Sequence, residues 1–427
     1  MTGSVVVVGA GQAGGEAVAA LRSQGYDGAL TLIGDEGSLP YSRPPLSKQF
    51  LTGAVTAERI LLRQAEFYEK FDIRVLTGSH VLRIDREARR VELADGSSVE
   101  YGDLVLATGG SPRRLPDHGR PQPANLHYVR TISDVEKLRA DLVAGKRLAV
   151  VGGGYIGLEI AAVARRLELD VLVVEAADRL LARVAGRELA AFVQDRHSKH
   201  GIEIRLKSQV ASFGYDDLGN IRTVELADGE TVPTDVVVVG IGLVPNDRLA
   251  VDCGLEVDDG IVVDELCRTS DPHIYAVGDC ARHPCAEHGG LRRLESVANA
   301  TEQARTVAAA ILGKEPPQAA VPWFWSDQAE MKLQTVGLAA GCDTVVVRPS
   351  AAEGQLTVLY LKDGRIRAAD VVGNPRLFAT MKRLVAARVP ATTDELADPD
   401  FALDSLLGEQ RPNGAGTTAR TEGASRT

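Results

Sequence analysis

The stretch SVVVVGAGQAGGEAVAALRSQGYDGALTLIGD, residues 4–35, combines a β-branched strand, a glycine-rich loop, an alanine-rich helix pattern and a second strand. Its glycines at positions 9, 11 and 14 have the spacing G-x-G-x-x-G. Such a loop between a strand and a helix is typical of a βαβ unit that binds a dinucleotide at the edge of a parallel sheet. The stretch therefore predicts an α/β fold with a dinucleotide-binding domain.

The same plan is repeated in RLAVVGGGYIGLEIAAVARRLELDVLVVEA, residues 147–176. The glycines of this copy are Gly152, Gly154 and Gly157. Each copy ends its second strand near an acid, Asp35 or Glu175, at the spacing of about 20 residues at which a carboxylate reaches a ribose. One copy alone is compatible with an ordinary glycine turn, whereas two copies in full context predict two dinucleotide-binding domains.

The three glycines of each loop have separate physical roles. The first permits a tight turn, the second lets the backbone approach a pyrophosphate, and the third lets the helix pack closely on the strand. The free N–H groups and the positive dipole end of the helix then face the phosphates. Two such sites in one chain predict two ligands, and the usual pairing is a bound flavin and a diffusible nicotinamide.

The acid after each second strand bears on the choice of coenzyme. Glu175 would accept hydrogen bonds from the adenine ribose hydroxyls and repel a 2′-phosphate, which predicts NADH over NADPH. Arg179 and Arg183 lie just beyond it and would soften that preference. In the first copy, Gly34 stands where the acid often does, and Asp35 follows one position later.

The composition restricts the class of protein. The chain has 427 residues, a formal net charge of −10 and 25% charged residues, which predicts two or three soluble domains and argues against a nucleic-acid partner. No apolar run approaches the roughly 20 residues that a membrane helix needs. The first residues lack the pattern of a signal peptide, and five cysteines without a disulfide spacing fit a reducing compartment. We therefore expect a cytoplasmic protein.

Five further motifs, taken in order, resemble one family of flavoproteins. They are RPPLSK (43–48), ATGG (107–110), GIGLVPN (240–246), AVGDCA (276–281) and VPWFWSDQ (321–328). With the two glycine loops they resemble the FAD-dependent NADH:ferredoxin reductases of bacterial oxygenase systems, of the putidaredoxin reductase and biphenyl-dioxygenase ferredoxin reductase type. The resemblance covers about residues 4–405. It implies a glutathione-reductase-like fold that uses noncovalent FAD and NADH.

The resemblance also implies a domain organisation. Residues 1–112 and 246–322 would form a discontinuous FAD-binding domain, and residues 113–245 an NADH-binding domain. Residues 323–408 would form a small α+β domain that packs over the flavin. Residues 409–427 contain no large apolar side chain and much Gly, Thr and Ser, which predicts a disordered tail.

By the same resemblance, two groups of residues bind the cofactors. The FAD group consists of Gly9, Gly11, Ala13, Gly14, Asp35, Lys48, Val81, Ala107, Arg130, Asp279 and Val297. The NADH group consists of Gly152, Gly154, Tyr155, Ile156, Gly157, Glu175, Arg183 and Gly242. Tyr155 is open to two interpretations, a cover over the flavin until nicotinamide displaces it, or a core side chain between helix and strand.

The elbow in RPPLSK carries the predicted catalytic pair. Pro44 and Pro45 fix two φ angles, so the reach of Lys48 is stiff. In the resembled family this lysine lies near the reactive flavin nitrogen and pairs with a glutamate, which matches Glu159 here. The alternative interpretation is a surface lysine after a proline turn.

The sequence contains no evident internal route for electrons beyond the flavin. Residues 36–60 and 113–245 contain no cysteine, so the redox-active pairs of disulfide reductases are missing. Cys280 and Cys285 have a C-x-x-x-x-C spacing that we interpret as coincidence. Neither the cysteines nor the eight histidines predict a metal site or an iron–sulfur cluster. We therefore expect an external electron acceptor or dioxygen.

The resemblance implies that the acceptor is a [2Fe–2S] ferredoxin that serves a cytochrome P450 or a ring-hydroxylating dioxygenase. Trp325 and Arg305 are the predicted docking residues, with Arg292 and Arg293 as further basic candidates. Core packing and a solvated surface are the alternative interpretations. An NADH oxidase or rubredoxin reductase of the same fold, and an NADH-responsive flavoprotein sensor, stay open. We expect a monomer or weak dimer that binds neither nucleic acid nor membrane.

Overall fold

The computed structural model describes residues 3–116, 119, 121–285, 289–350 and 352–408, so the predicted tail, 409–427, lies outside the described residues. Three five-stranded sheets organise this part of the chain. Two are parallel and one is antiparallel. The predicted fold class is therefore confirmed, with two Rossmann-like units and a smaller C-terminal unit.

The first sheet contains the first glycine loop. Its parallel strands lie in the order Ile274–Ala276, Asp103–Leu106, Val5–Val8, Leu30–Ile33 and Ile73–Leu76. The central strand consists of four buried valines, because both faces of a parallel sheet are covered. Helices Gln12–Ser23 and Val297–Ile311 pack against each other and share a core cluster with this sheet.

The second sheet repeats this plan around the second glycine loop. Its parallel strands lie in the order Glu203–Arg205, Asp170–Val174, Arg147–Val151, Val236–Val239 and Leu126–His127. Helix Tyr155–Arg166 begins directly after the loop, and its residues from Gly157 to Ala164 are all buried. The central strand Arg147–Val151 therefore again ends in a glycine loop at the carboxyl edge of a parallel sheet.

The third sheet is antiparallel. Its strands lie in the order Trp323–Gln328, Met331–Gly337, Arg365–Val372, Leu356–Lys362 and Thr344–Arg348. Helix Pro375–Ala386 packs on it through Phe378, Met381 and Leu384. The first strand contacts helix Tyr155–Arg166 of the second unit, so the third sheet closes over the helix that follows the second glycine loop.

The remaining elements are short. Further helices are Ala65–Lys70, Ile132–Asp141, Arg187–Lys199, Arg248–Asp252 and Thr393–Ala397, and 3₁₀ turns are Pro44–Ser47, Glu58–Ile60, Gly278–Cys280 and Leu403–Leu407. Further strands are Val81–Asp85, Arg90–Leu93, Ser98–Glu100, Gly110–Pro112, Val210–Tyr215, Ile221–Leu226, Thr231–Pro233, Leu243–Pro245, Ile261–Val262, Ala281–Pro284 and Leu291–Arg292. Across the described ranges, no helix is both long and apolar enough to cross a membrane.

Strand pairing joins segments that are distant in the chain. Ile274–Ala276 pairs with Asp103–Leu106 of the first sheet, although the strands of the second sheet lie between them in sequence. Where the chain passes between the two units, Gly110–Pro112 pairs with Leu243–Pro245. This pairing supports a discontinuous first domain, while the residue boundaries expected from the sequence stay a prediction.

Candidate functional site

The first glycine loop has the geometry that its three roles require. Gly9 has φ +110°, and a Cβ there would lie 2.1 Å from the carbonyl oxygen of Ala107. A Cβ on Gly14 would lie 1.9 Å from the carbonyl oxygen of Gly9. A Cβ on Gly11 would meet nothing nearer than 3.9 Å, so this glycine leaves room beside the backbone for a ligand to approach.

The second glycine loop repeats these contacts. Gly152 has φ +106°, and a Cβ there would lie 2.4 Å from the carbonyl oxygen of Gly240. A Cβ on Gly157 would lie 2.5 Å from the carbonyl oxygen of Gly152, whereas one on Gly154 would have 3.8 Å of clearance. Both loops therefore combine a close backbone contact with an open approach at the middle glycine, which fits a bound pyrophosphate.

One deep cleft collects most of the predicted site residues. The predicted residues that line it are Gly9, Gly11, Ala13, Asp35, Lys48, Ala107, Arg130, Tyr155, Ile156, Glu159, Asp279, Val297 and Trp325. Gly14 lies beneath the loop instead. Val81 is buried in a hairpin opposite Leu93 and is not among the lining residues, so the structure does not bring it into the cleft.

Three helices begin at this cleft. Gly11 precedes helix Gln12–Ser23, Gly154 precedes helix Tyr155–Arg166, and Ser296 caps helix Val297–Ile311. The Ser296 hydroxyl accepts a hydrogen bond from the Asn299 backbone N–H at 3.1 Å. Helix N-termini carry partial positive charge, so this end of the cleft favours anionic groups.

Arg130 and Asp279 form an ion pair across the cleft. The Arg130 Nη2 atom lies 2.9 Å from Asp279 Oδ2, and both side chains are about one-fifth exposed. The sequence assigned both residues to the cofactor but did not predict that they meet. The pair holds the Asp279 carboxylate in place while leaving its other oxygen free to accept a hydrogen bond.

Two adjacent acids follow the strand Leu30–Ile33, and their surroundings differ. Asp35 is exposed at the cleft, while the next residue, Glu36, binds Arg43 and Tyr41. Arg43 Nη2 lies 2.6 Å from Glu36 Oε1, and its Nη1 donates to the backbone carbonyl of Arg130. The sequence analysis did not predict this cluster, which ties the start of the proline elbow to the backbone of Arg130.

The proline elbow places Lys48 beside Glu159, which is the pairing that the family resemblance implied. Lys48 Nζ lies 2.7 Å from Glu159 Oε1, with side chains 12% and 6% exposed. Lys48 also donates to the Pro44 carbonyl oxygen at 3.2 Å, so the stiff 3₁₀ turn Pro44–Ser47 fixes its direction. The surface-lysine alternative is therefore wrong.

Further polar side chains that the sequence analysis missed surround Glu159. The Ser47 hydroxyl donates to Glu159 Oε2, and the Ser326 hydroxyl donates to Glu159 Oε1 at 2.5 Å. Gln328 donates its Nε2 to Ser326 Oγ at 3.1 Å, and His197 Nε2 lies 2.8 Å from Gln328 Oε1. We call His197, Gln328 and Ser326 the donor chain.

Glu175 is turned towards its own glycine loop. Its carboxylate accepts from the backbone N–H of Gly153 at 2.6 Å and of Ala177 at 2.7 Å. Across the same edge, the exposed Arg183 guanidinium lies 3.4 Å from the position of a Cβ on Gly242. Glu175 and Gly242 follow neighbouring strands of the second sheet region, and Arg183 lies beside Gly242.

Aromatic side chains cover one side of the cleft. Tyr155 packs against Phe324 with ring centroids 4.6 Å apart, and Trp325 stacks on Trp323 at 5.4 Å. Lys382 Nζ lies 4.5 Å from the Trp323 ring centroid. Tyr155 therefore lines the cleft and packs against the third sheet at once, so neither of its two interpretations is excluded.

The predicted basic docking residues have different surroundings. Arg305 is exposed on helix Val297–Ile311 but does not line the cleft. Arg292 is also exposed. Arg293 is only 9% exposed and contacts Glu295 at 2.6 Å and Asp259 at 3.6 Å. Because two carboxylates already neutralise Arg293, it is a poor candidate for a docking charge.

The cysteines are single thiols. All five are free, and Cys280 and Cys285 are buried. Burial raises the pKa of the Cys280 thiol, which donates to the carbonyl oxygen of Val277. A buried thiol with a raised pKa is a poor nucleophile. In the described ranges, no group of His, Cys, Asp and Glu is arranged to hold a metal ion.

A buried carboxyl group, that of Asp370, lies on strand Arg365–Val372 of the third sheet. Asp370 is 6% exposed and accepts a hydrogen bond from the Tyr360 hydroxyl at 2.7 Å. Burial raises the pKa of Asp370 to about 7, and Glu188 adds to this rise. A Cβ on Gly186 would lie 2.2 Å from the Tyr360 hydroxyl, so this carboxyl group lies near a tight contact between the start of helix Arg187–Lys199 and the third sheet.

Comparison with known proteins assigns the chain. Residues 3–304 match the family model described as pyridine nucleotide-disulphide oxidoreductase, and residues 323–407 match the reductase C-terminal model. The chain is 44% identical to rhodocoxin reductase of Rhodococcus erythropolis over 408 residues, 96% of this chain and 95% of the relative. It is 39% identical to the benzene 1,2-dioxygenase system ferredoxin–NAD(+) reductase subunit of Pseudomonas putida over 413 residues, 97% of this chain and 100% of the relative.

A crystal structure of the covalent putidaredoxin reductase–putidaredoxin complex superposes with a TM-score of 0.92 at 42% identity, covering 95% of this chain and 98% of that one. These likenesses imply flavin and NAD(P)H use. The protein is an oxidoreductase, and the chain belongs to the pyridine nucleotide-disulphide oxidoreductase family, in the branch that includes the ferredoxin reductases of oxygenase systems.

Proposed function

We propose that the protein is an NADH-dependent ferredoxin reductase. It takes hydride from NADH at noncovalently bound FAD and delivers electrons singly to a [2Fe–2S] ferredoxin that serves a cytochrome P450 or a ring-hydroxylating dioxygenase. The family match and the names of the relatives support this function. FAD supplies the conversion between a two-electron donor and one-electron acceptors. We place the protein in the cytoplasm because its five thiols are free.

One observation carries the proposal. Among the described residues, the cleft lining includes the first glycine loop and the Lys48–Glu159 pair but no cysteine. A disulfide reductase needs a thiol pair that exchanges with its substrate. Without such a pair at the cleft, electrons leave through the aromatic edge at Trp325 to an outside partner.

The flavin side of the cleft is assigned from its contacts. The loop N–H groups after Gly11 bind the pyrophosphate, and Asp279, held by Arg130, accepts from ribitol hydroxyls. Asp35 is exposed at the cleft and accepts from the adenosine ribose. The N-terminus of helix Val297–Ile311 stabilises negative charge on the flavin ring.

Lys48 supplies a fixed positive charge at the cleft. The Lys48 side chain is 12% exposed, and the Glu159 carboxylate 2.7 Å away supplies the opposite charge that a largely buried ammonium group requires. The pair joins the proline elbow of the first unit to the helix after the second glycine loop. The charge therefore stands where both dinucleotides would meet.

The nicotinamide side is assigned to NADH. The helix after Gly154 faces the pyrophosphate, and Glu175 accepts from the adenine ribose as well as from its own loop. The exposed Arg183 opposite Gly242 binds outer phosphate oxygens. Because Glu175 is committed to the loop backbone, its negative charge stays at the position that a 2′-phosphate would occupy.

The ferredoxin docks where aromatic and basic side chains meet. Trp325 lines the cleft, Trp323 stacks on it, and Lys382 lies over Trp323. Arg305 is exposed on a helix that contacts the strand carrying both tryptophans. A net charge of −10 makes such local basic groups the attractive feature for an acidic partner.

The test is electron stoichiometry. Under anaerobic conditions, one NADH should reduce two molecules of an added [2Fe–2S] ferredoxin, followed by the ferredoxin's own absorbance. Lys382→Glu and Arg305→Glu should each raise the ferredoxin KM roughly tenfold and leave flavin reduction by NADH unchanged. Lys199→Glu, at an exposed lysine of the second unit, is the matched control. Ferredoxin left oxidised while oxygen yields peroxide would instead identify an NADH oxidase.

A further inference from the structure

The donor chain is a line of hydrogen bonds that ends on a carboxylate. All three of its side chains are 0% exposed. Ser326 Oγ accepts a hydrogen bond from Gln328 Nε2. Its single hydroxyl proton is donated to Glu159 Oε1. Each donor in the chain therefore points towards Glu159.

The position of the proton on the His197 ring sets the donor-to-acceptor direction of these hydrogen bonds. Because Gln328 Oε1 accepts, His197 carries its proton on Nε2. Its other ring nitrogen, Nδ1, is buried and has no hydrogen-bond partner among the described residues. A proton on Nδ1 would bury an unpaired donor, which is costly. Burial also lowers the pKa of His197, so the ring is neutral near pH 7.

The donor chain reaches Glu159 from outside the cleft. Lys48 and Glu159 line both the cofactor cleft and a second cavity, and His197 lines only the second. His197 belongs to helix Arg187–Lys199, whereas Ser326 and Gln328 belong to the first strand of the third sheet. The chain thus connects the second and third units to the ion pair.

We propose that His197, Gln328 and Ser326 are positioning residues that hold the Glu159 carboxylate in one orientation, and through it fix Lys48 at the cleft. Ser47 binds Glu159 Oε2, so Oε1 depends on the donor chain for its second partner beside Lys48. Without the chain, Oε1 of the carboxylate loses a hydrogen-bond donor, and Lys48 loses a fixed partner. The predicted effect on rate rests on the proposed function.

The first test compares two variants at one position. His197→Leu removes the Nε2 donor, whereas His197→Gln keeps an N–H within reach of Gln328. In the holoenzyme, His197→Leu should slow the limiting rate of flavin reduction by NADH about tenfold. The NADH Kd should not change. His197→Gln, and the control His80→Gln at an exposed histidine of the first unit, should match the parent.

A second test does not depend on the reaction. If the chain acts as a unit, His197→Leu and Ser326→Ala together should lower Tm by less than the sum of the single decreases. Ser326→Ala with His80→Gln should be additive. If NADH does not reduce the flavin of the parent protein, the proposed function fails, while this thermal cycle still tests the chain. Additive decreases, or an unchanged limiting rate in both His197→Leu and Ser326→Ala with full flavin content, would overturn the positioning role.

Discussion

The two glycine loops share one spacing, yet their surroundings differ. Around the first loop, the cleft is closed by side chains from distant segments, including Lys48, Arg130 and Asp279. Around the second loop, Glu175 turns back onto its own backbone and Arg183 is exposed. A ligand held by many segments dissociates slowly, whereas one held at an open edge exchanges. The same motif thus suits a resident flavin in one place and a diffusible coenzyme in the other.

The largest effects are expected when one methyl group is added to the middle glycine of each loop, because the two loops would then lose different ligands. A Cβ fits at Gly11 and at Gly154, but it blocks the approach of a pyrophosphate. Gly11→Ala should abolish flavin retention, measured by absorbance after gel filtration. Gly154→Ala should retain flavin and raise the NADH KM about tenfold or more. Gly37→Ala, where a Cβ meets nothing within 4 Å, is the control. Retention of flavin by Gly11→Ala would contradict the assignment.

The next largest effect concerns the ion pair that joins the two sites. Glu159→Leu leaves Lys48 buried without its partner, and we expect a loss of about 3–5 kcal/mol in the free energy of unfolding of the holoenzyme. The double variant Lys48→Met, Glu159→Leu should recover most of this loss in denaturant titrations, yet reduce its flavin slowly. A double variant no more stable than Glu159→Leu would show that the charge of Lys48 is not the cause.

A smaller effect, on the choice of coenzyme, is expected at the acid beside the second glycine loop. Glu175→Gln removes the charge opposite a 2′-phosphate and keeps one acceptor for the loop N–H groups. The preference for NADH over NADPH, measured as the ratio of kcat/KM values, should fall about tenfold. The exposed Glu168→Gln is the matched control. An unchanged ratio would assign coenzyme choice to another residue.

The smallest effect is a pH dependence of stability. Burial lowers the pKa of His197 in the folded protein, with His200 lowering it further and the Gln328 hydrogen bond and Glu330 opposing the shift. The unfolded chain therefore binds more protons below about pH 6.5, and stability should fall as the pH drops through that value. His197→Gln should flatten this decrease in Tm between pH 7.5 and 5.5. A parallel decrease in His197→Gln would contradict the assignment.

The sequence predicted most of the fold because its signals are local. Each glycine loop stands between a valine-rich strand and an apolar helix, so the βαβ units were visible without tertiary information. The pairing of Lys48 with Glu159 was predicted only through the family resemblance, since the two residues are 111 positions apart.

The parts that the sequence did not reveal depend on tertiary contacts. Ser326 and Gln328 look like ordinary strand residues, and their role appears only where the third sheet packs on helix Tyr155–Arg166. Glu36 and Asp35 are adjacent acids, and only the position of Arg43 decides which one braces the elbow. Val81 was assigned to the cofactor by analogy through its backbone; its side chain belongs to a hairpin core, and the backbone assignment stays a prediction.

The protein is expected to pass electrons from NADH to a one-electron partner, a [2Fe–2S] ferredoxin. The most direct measurement is NADH-driven cytochrome c reduction with and without an added [2Fe–2S] ferredoxin, repeated with NADPH. Strong stimulation by ferredoxin with NADH, and little activity with NADPH, is the predicted result. High activity without ferredoxin, or rapid flavin reduction with no turnover on any acceptor, would contradict the claim and favour an oxidase or a sensor.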